Sequence, residues 1–564
     1  MIQNNFQLAL RHIARHKMHS LLNLCGLAIG LAVCLLLFVW VRDELAYDRF
    51  HSKADRIHRA LWKARFGDNE WAIPLCPVPL APALEREFGE VEKATQLVPG
   101  GFTLKFGNEY VREQNAFWVD EDFFDIFSVE VVAGDPKTAI ADPNGIILTE
   151  SAAQRYFGSQ NAIGQTLTAN DGKTLLVSAV VRSFPKQSHL RFDFLRPIKT
   201  RSFLEERKDH WGSATCYTYF LLKPGMDAAA LQQKLQAYVD KNVVDDDFRK
   251  GQNYTSFPFQ ALTDIHLHSN LETEISPNGS IIYVWIFGII GGFILLLACI
   301  NFINLATARA ATRAREVGVR KALGSQRSAL VGQFFAEAFL HVALAVGAAL
   351  LVAWAALPYF NAFADKELTI NFIESPFLIV LVAGLVAATT LLAGAFPAFV
   401  LSAFQPVKVL KGQVATASSG RQNWLRRGLV VLQFGISTAL LIGTLVVHRQ
   451  LEFLQKTQLG FEKEHVLVVS RAGGLGKNID VFLQKLRLSS AVKQVSAAST
   501  LPGKEFDSTI FLPEQPANYQ ETSLTYAWVD ANFASTLGLR ITSGRDFQPG
   551  SATDSAGCII NEAA

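Results

Sequence analysis

Residues 299–330 read CINFINLATARAATRAREVGVRKALGSQRSAL, and the rest of the chain is organised around them. Upstream, Ile281–Asn301 is an apolar run, and downstream Ala329–Pro358 is a second. Each is long enough to cross a bilayer core, which takes roughly 20 residues. Between them stand Arg309, Arg313, Arg315, Arg320, Lys321 and Arg327 against one acid, Glu316. A short loop so rich in Lys and Arg beside two spans belongs on the cytoplasmic side. Arg309, Arg313, Glu316 and Arg320 recur at spacings of three and four, so they share one helical face. Val317, Val319, Ala322 and Leu323 supply apolar contact on another, and Gly324 offers a stop. Charge and period together predict a short basic amphipathic helix at the cytoplasmic mouth of two membrane helices. A solvated loop that only fixes topology fits the same pattern.

The residue order carries more than the pattern does. NFINLATARAATRAREVGVRKALGSQRSALVGQFFAEA (301–338) closely resembles the signature of the FtsX-like permease family, the membrane subunits of MacB-type ABC transporters. The agreement runs over Asn301, Asn304, Arg309, Arg313, Arg315, Glu316, Gly318, Arg320, Lys321, Gly324, Gln333 and Glu337. The resemblance implies that this segment docks on a separate cytoplasmic ATPase. Its coupling residues would then be Arg309, Arg313, Glu316, Val317, Gly318, Arg320, Lys321 and Gly324.

Working outward, charge assigns sides. Half of the 564 residues are apolar and 18% are charged, so long polar regions alternate with membrane spans. The segments expected in the cytoplasm (1–20, 306–329, 403–427) carry 14 Lys/Arg and one acid, whereas 42–280 carries 27 Lys/Arg and 33 Asp/Glu. That is the positive-inside bias, and the net charge of +3 calls for no nucleic-acid partner. Residues 1–20 predict a cytoplasmic interfacial helix, with Phe6, Leu10, Ile13 and Ala14 on one face. Residues 21–41 form a first span; the run is too long for a signal-peptide core, and RDELAYDRF follows where a cleavage site would stand.

The expected order is then an outer domain (42–280), a second span (281–305), the coupling loop (306–328) and a third span (329–358). A short outer loop (359–375), a fourth span (376–404), a cytoplasmic linker (405–427) and a fifth span (428–448) lead to a second outer region, 449–564. Glu337 and His341 sit four residues apart in span three, within reach of the cytoplasmic end; a salt bridge or helix packing explains them better than a proton relay. Gly288, Gly291, Gly292, Gly347, Gly384 and Gly394 suit close packing in lipid.

In the outer domain, Ile57–Phe66 and Cys216–Leu222 read as strands, and Pro79–Phe88 and Asp227–Val239 as helices. Short strands at Thr103–Phe106 and Tyr110–Glu113 flank a Gly-Asn turn. The middle run, 118–167, resembles the MacB-type periplasmic core domain at Trp118, Asp120, Phe123, Gly134, Phe157, Gly158, Ile163, Gly164 and Pro185 just beyond it. Two lobes are expected, one α+β from the outer segments and one β-rich from the inserted middle. Cys76 and Cys216 would both face an oxidising compartment, and sequence leaves their pairing open.

At 421 the chain starts again. Arg421, Arg426 and Arg427 precede span five, and AWVDANFASTLGLRITSGRDF later repeats FWVDEDFFDIFSVEVVAGD. Trp118 and Trp528, Asp120 and Asp530, and Gly134 and Gly544 each differ by 410. The fold class expected is therefore an α-helical membrane protein with α+β extracytoplasmic domains. A four-span FtsX-like unit is followed by the first span and partial outer domain of a second copy. The second copy breaks off near the equivalent of Ala153, so a complete chain is expected to reach roughly 800 residues.

No catalytic constellation emerges. GSQNAIGQT (158–166) and GGLGKN (473–478) both fail as phosphate loops, and His189, His210, His266 and His268 lack neighbours that would make a nucleophile or metal site. The expectation is no enzyme, no cofactor and no metal in this chain. The resemblance implies the permease subunit of an ATP-driven system in an inner membrane, working in efflux or lipoprotein release. A periplasmic adaptor and outer-membrane channel are further implied partners. The alternative is a signalling or scaffold protein regulating a periplasmic or cell-wall partner.

Overall fold

The computed structural model describes residues 17–66, 69–106, 109–169, 172–244, 253–307, 317, 319–323, 325–371, 376–402, 421–457, 459–470, 472–504, 507–511 and 522–562. Among these residues, five helices are long and apolar enough to cross a membrane: α1 (Lys17–Leu45), α2 (Ile281–Thr307), α3 (Arg327–Ala364), α4 (Pro376–Ser402) and α5 (Arg421–Lys456). Of these, α1, α3 and α5 start and end beyond the expected spans. Pro358 does not stop α3, which continues to Ala364 and caps on Asp365 at φ 50°. The carbonyl four residues before a proline loses its partner, a small loss at Trp354, whose side chain is exposed. The expected helix over residues 1–20 lies outside the described residues up to 16.

Two compact units form. One comprises Met1–Trp62, Ala72–Val243 and Ser256–Ile442; the other comprises Lys63–Trp71, Val244–Thr255 and Gly443–Ala564. In the first unit α1 packs on α2 and α3, and α3 and α2 pack on α4, around Leu27, Leu31, Val342, Ala345, Ala349 and Leu378. The tightest crossing differs from expectation. A Cβ at Gly30 would stand 2.8 Å from Ala298 Cβ, and one at Gly394 3.1 Å from Ala338 Cβ, whereas Gly288, Gly292, Gly347 and Gly384 have open space. Close approach is thus set by α1 against α2 and α3 against α4, not by the glycine-rich face of α2.

The strands are β1 (Ile57–Ala60), β2 (Trp62–Phe66), β3 (Asn69–Ile73), β4 (Leu75–Cys76), β5 (Val91–Phe106), β6 (Glu109–Val119), β7 (Val131–Gly134) and β8 (Gly145–Thr149). They continue as β9 (Thr166–Thr168), β10 (Thr174–Val181), β11 (Phe194–Pro197), β12 (Cys216–Leu222), β13 (Tyr254–Ser256), β14 (Phe259–Ala261), β15 (Asp507–Phe511) and β16 (Thr522–Tyr526). The order β14-β1-β12-β5-β6-β11-β8-β10-β7, with β4 on β12 and β9 on β10, makes one sheet. The two expected lobes are therefore joined: β11, from the inserted middle, pairs in parallel with β6. Side-chain alternation builds a core on each face. Leu97, Val119, Tyr217 and Tyr219 line one, and Val98, Trp118, Phe194 and Cys216 the other.

One local arrangement occurs in both units. In the first, Asp120 accepts Thr95 Oγ1 at 2.5 Å and the Gln96 amide at 3.0 Å, where Leu97 faces Val119. A helical turn, Phe123–Ile126, follows. In the second, Asp530 accepts Ser496 Oγ at 2.5 Å and the Ala497 amide at 3.1 Å, where Ala498 faces Val529. The turn Phe533–Thr536 follows. Gly134 and Gly544 hold φ of 77° and 81°, left-handed values that only glycine adopts freely. Trp118 is 3% exposed and Trp528 69%.

Candidate coupling sites at the two ends of the helix bundle

At the end of the bundle away from the outer domain, Arg309, Arg313, Glu316, Gly318 and Gly324 lie outside the described residues. Val317, Arg320 and Lys321 are described, and they divide the segment into an inner and an outer side. Val317 is 4% exposed and packs with Leu330 and Phe334 of α3 and Ala398 of α4. Arg320 donates to Gln333 Oε1 of α3 at 2.5 Å. Both therefore fasten the segment to the bundle. Val319 and Leu323 face outward, Leu323 at 82% exposure. The apolar contact assigned collectively to Val317, Val319 and Leu323 from sequence is thus shared between two opposite sides.

At the other end a buried polar joint gathers three parts of the chain. Asp43 and Glu44 stand on the last turn of α1, Lys366 follows α3, and His266 belongs to a short helix, Ile265–His268, that precedes α2. Lys366 Nζ lies 2.9 Å from Asp43 Oδ2 and 2.7 Å from Glu44 Oε1. His266 Nε2 lies 2.8 Å from the other Glu44 oxygen, and the His266 ring stacks on Tyr47 at 3.4 Å between centroids. Gln187 donates its side-chain amide to Asp43. Burial works against the Lys366 charge, but Glu44 and Asp43 outweigh it and hold the ammonium above the usual lysine range.

Local structure aims these groups. Asp365 takes a left-handed conformation that ends α3, and Asn361 then clamps Leu368, accepting its amide at 3.0 Å and donating to its carbonyl at 2.9 Å. Lys366 is held between those two fixed points. Gly279 passes so close that a Cβ would stand 2.7 Å from Glu44 Oε2 and 2.8 Å from His266 Nε2.

The joint continues into the outer domain. Asp48, at φ 58°, accepts from the His189 amide and Ser188 Oγ at 3.1 Å each, and His189 Nδ1 lies 3.0 Å away. Burial pushes the Asp48 carboxyl up, but His189 and these hydrogen bonds outweigh it and hold it below the usual carboxylate range. His189 Nε2 meets Tyr219 Oη at 2.7 Å. Nearby, the fully buried Arg59 makes a two-pronged pair with Glu274 at 2.6 and 2.8 Å. Such planar pairing fixes orientation as well as distance.

Sequence reading missed this joint. In sequence His266 shows no partner, whereas in the fold it is buried against Tyr47 and Glu44. The available signals were Lys366, the single base in a short acidic outer loop, and the acid pair directly after the first span. Of the intramembrane pair, His341 Nδ1 donates to the Glu337 carbonyl at 2.9 Å and its ring meets Phe302 edge-on, a packing arrangement. Among the described residues no cluster of His, Cys, Asp and Glu fits a metal ion.

Comparisons with known proteins fall on the same segments. The MacB-like periplasmic core domain matches residues 20–238, and the FtsX-like permease C-terminal domain matches residues 288–406. The chain is 22% identical over 432 residues to the uncharacterized ABC transporter permease YvrN of Bacillus subtilis (strain 168), covering 72% of this chain and 99% of that protein. It is 22% identical over 349 residues to the Probable syringafactin export ATP-binding/permease protein SyfD of Pseudomonas syringae pv. tomato (strain ATCC BAA-871 / DC3000). That match covers 60% of this chain and 49% of SyfD. The periplasmic region of MacB from Actinobacillus actinomycetemcomitans aligns at a TM-score of 0.27 and 16% identity, over 38% of this chain and 91% of that structure.

Proposed function

Because the chain belongs to the ABC transporter permeases of the FtsX/MacB type, we propose that it links a separate cytoplasmic ATPase to movement of its outer domain. The observation that carries this reading is the joint around Glu44. A displacement of α1 or α3 at the cytoplasmic end reaches a point where the end of α1 is bonded to Lys366, just past α3, and to His266 and Gln187 of the outer domain. A flexible linker there would absorb the movement instead. Transmission of this kind needs a stiff element with two arrangements, biased by the nucleotide state of the partner.

The coupling segment, Arg309 to Gly324, is the ATPase-docking element in this reading. Val317 and Arg320 fasten it to α3 and α4, and Val319 and Leu323 offer the apolar contact. The basic residues supply charge complementarity, which governs partner choice and association rate. The name of one matched relative, SyfD, contains export, which supports outward transport as the direction of work. The shared geometry at Asp120 and Asp530 supports reading 421–564 as the beginning of a second copy of the first unit.

Co-purification with the ATPase tests the proposal. Leu323→Asp with Val319→Asp should abolish capture of the ATPase while leaving the permease folded, and Glu316→Lys should weaken it. Capture at wild-type yield by all of these variants would sink the docking assignment.

A further inference from the structure

Two cysteines of the outer domain, Cys76 on β4 and Cys216 on β12, are directly opposite each other in antiparallel register. Residues so paired put their side chains on the same face of the sheet, with Cα atoms about 4.5–5.5 Å apart. A disulfide requires about 4.4–6.8 Å between Cα atoms, so the backbone already stands within the window. Each thiol rests on a backbone carbonyl beside the pair. Cys216 Sγ lies 3.5 Å from the Cys76 carbonyl, Cys76 Sγ lies 3.3 Å from the Ala60 carbonyl, and the Thr218 side chain lies against both. Both residues are fully buried and both are free thiols here.

The remaining adjustment is small and falls on the shortest strand of the sheet. β4 is two residues long, prolongs the place of β1 along β12, and is not a member of the central strand path. Bringing its Cβ towards that of Cys216 disturbs two backbone pairs, not the sheet.

We infer that Cys76 and Cys216 form a structural disulfide when the outer domain matures outside the cytoplasm, an inference that rests on that topology. The step is thiol–disulfide exchange with a disulfide-bearing oxidant. Cys76–SH and Cys216–SH give up two protons and two electrons, the oxidant's S–S bond breaks to two thiols, and one new S–S bond joins the strands. Timing follows from burial. In the closed domain burial pushes the Cys216 thiol up to about 12, so the reactive thiolate is scarce. The bond therefore forms while β4 is still open to solvent, and once formed it is shielded from soluble reductants until the domain unfolds.

The test uses full-length protein from membranes, denatured directly in an alkylating agent, digested without reductant and analysed by mass spectrometry. The expected result is a single species joining the Cys76 and Cys216 peptides. Recovery of both as alkylated thiols would overturn the inference. As a second readout, urea midpoints should fall on addition of dithiothreitol in the wild type and stay fixed in Cys76→Ala; a midpoint equally indifferent in both overturns it. Topology is read separately, by labelling Ser159→Cys in spheroplasts with a membrane-impermeant maleimide. Failure to label defeats the topology, while the digest still decides whether the bond exists.

Discussion

Replacing Lys366 by Met removes a cation that bonds both Asp43 and Glu44, and the cost can be worked from the geometry. Lys366 is 15% exposed, Asp43 9% and Glu44 5%, with separations of 2.9 and 2.7 Å. At an effective dielectric of about 20, each contact carries roughly 6 kcal/mol of gross attraction. Much of that is offset by the desolvation of three charges. What the variant feels is the carboxylates left behind, and removing one partner of a buried ion pair costs about 3–5 kcal/mol. The lower end applies, because Gln187 still bonds Asp43 and His266 still bonds Glu44. A loss of about 3 kcal/mol is expected, confined to the joint. Hydrogen exchange on the purified protein in detergent reads it directly. Amides of residues 43–52 and 262–280 should exchange about 100-fold faster, because every 1.4 kcal/mol is a factor of ten. The segment Ile479–Arg487, in the other unit, should be unchanged. Glu44→Gln closes a double-mutant cycle, and a coupling energy above about 1 kcal/mol is expected. Additivity of the two substitutions within about 0.5 kcal/mol would refute the joint as a unit.

Three other outcomes follow from single positions. His51, pushed down to about 4 by burial, binds fewer protons folded than unfolded, so it removes about 3 kcal/mol of stability as pH falls from 6.5 to 4. Asp120, pushed up to about 6 by burial, binds more protons folded, so acidification from 6 to 3.8 adds about 3 kcal/mol. The two nearly cancel; urea midpoints between pH 7.5 and 4.5 should therefore rise on acidification in His51→Gln and fall in Asp120→Asn, and parallel profiles would contradict both assignments. Gly30→Leu forces a side chain into Ala298 and should cost about 1–3 kcal/mol in detergent melts, whereas Gly288→Ala, with open space, should be near neutral. Gly279→Ala sets a methyl group against both Glu44 and His266, and exchange should rise in the same amides as for Lys366→Met.

What could be read in the chain, and what could not, divides by the range of the interaction. The strand Cys216–Leu222 and the helix Ala228–Asn242 lie close to where the sequence reads a strand and, over Asp227–Val239, a helix; a short apolar run and an aspartate whose side chain caps the helix act within a few residues. The long helices were legible for the same reason, apart from their ends. Joining the two lobes into one sheet was not legible, because the parallel pairing of Phe194–Pro197 with Ala116–Val119 links segments nearly 80 residues apart that no local pattern connects. The joint is the extreme case. Asp43, His266 and Lys366 are ordinary charged and polar residues in sequence, and only the tertiary fold removes them from water and supplies their partners. The repeat shows the converse. Asp120 and Asp530 recur at a fixed offset because each accepts a hydroxyl and the next residue's amide, and that requirement is written in one residue. Their tryptophans also recur, yet one is covered and the other open. Identity at Trp528 therefore accompanies the shared bridge and aspartate that follow it, while burial at Trp118 depends on β8, β10 and β11 packing beside it. A motif can fix a turn by itself, but a buried aromatic needs its neighbours, and so does a buried lysine.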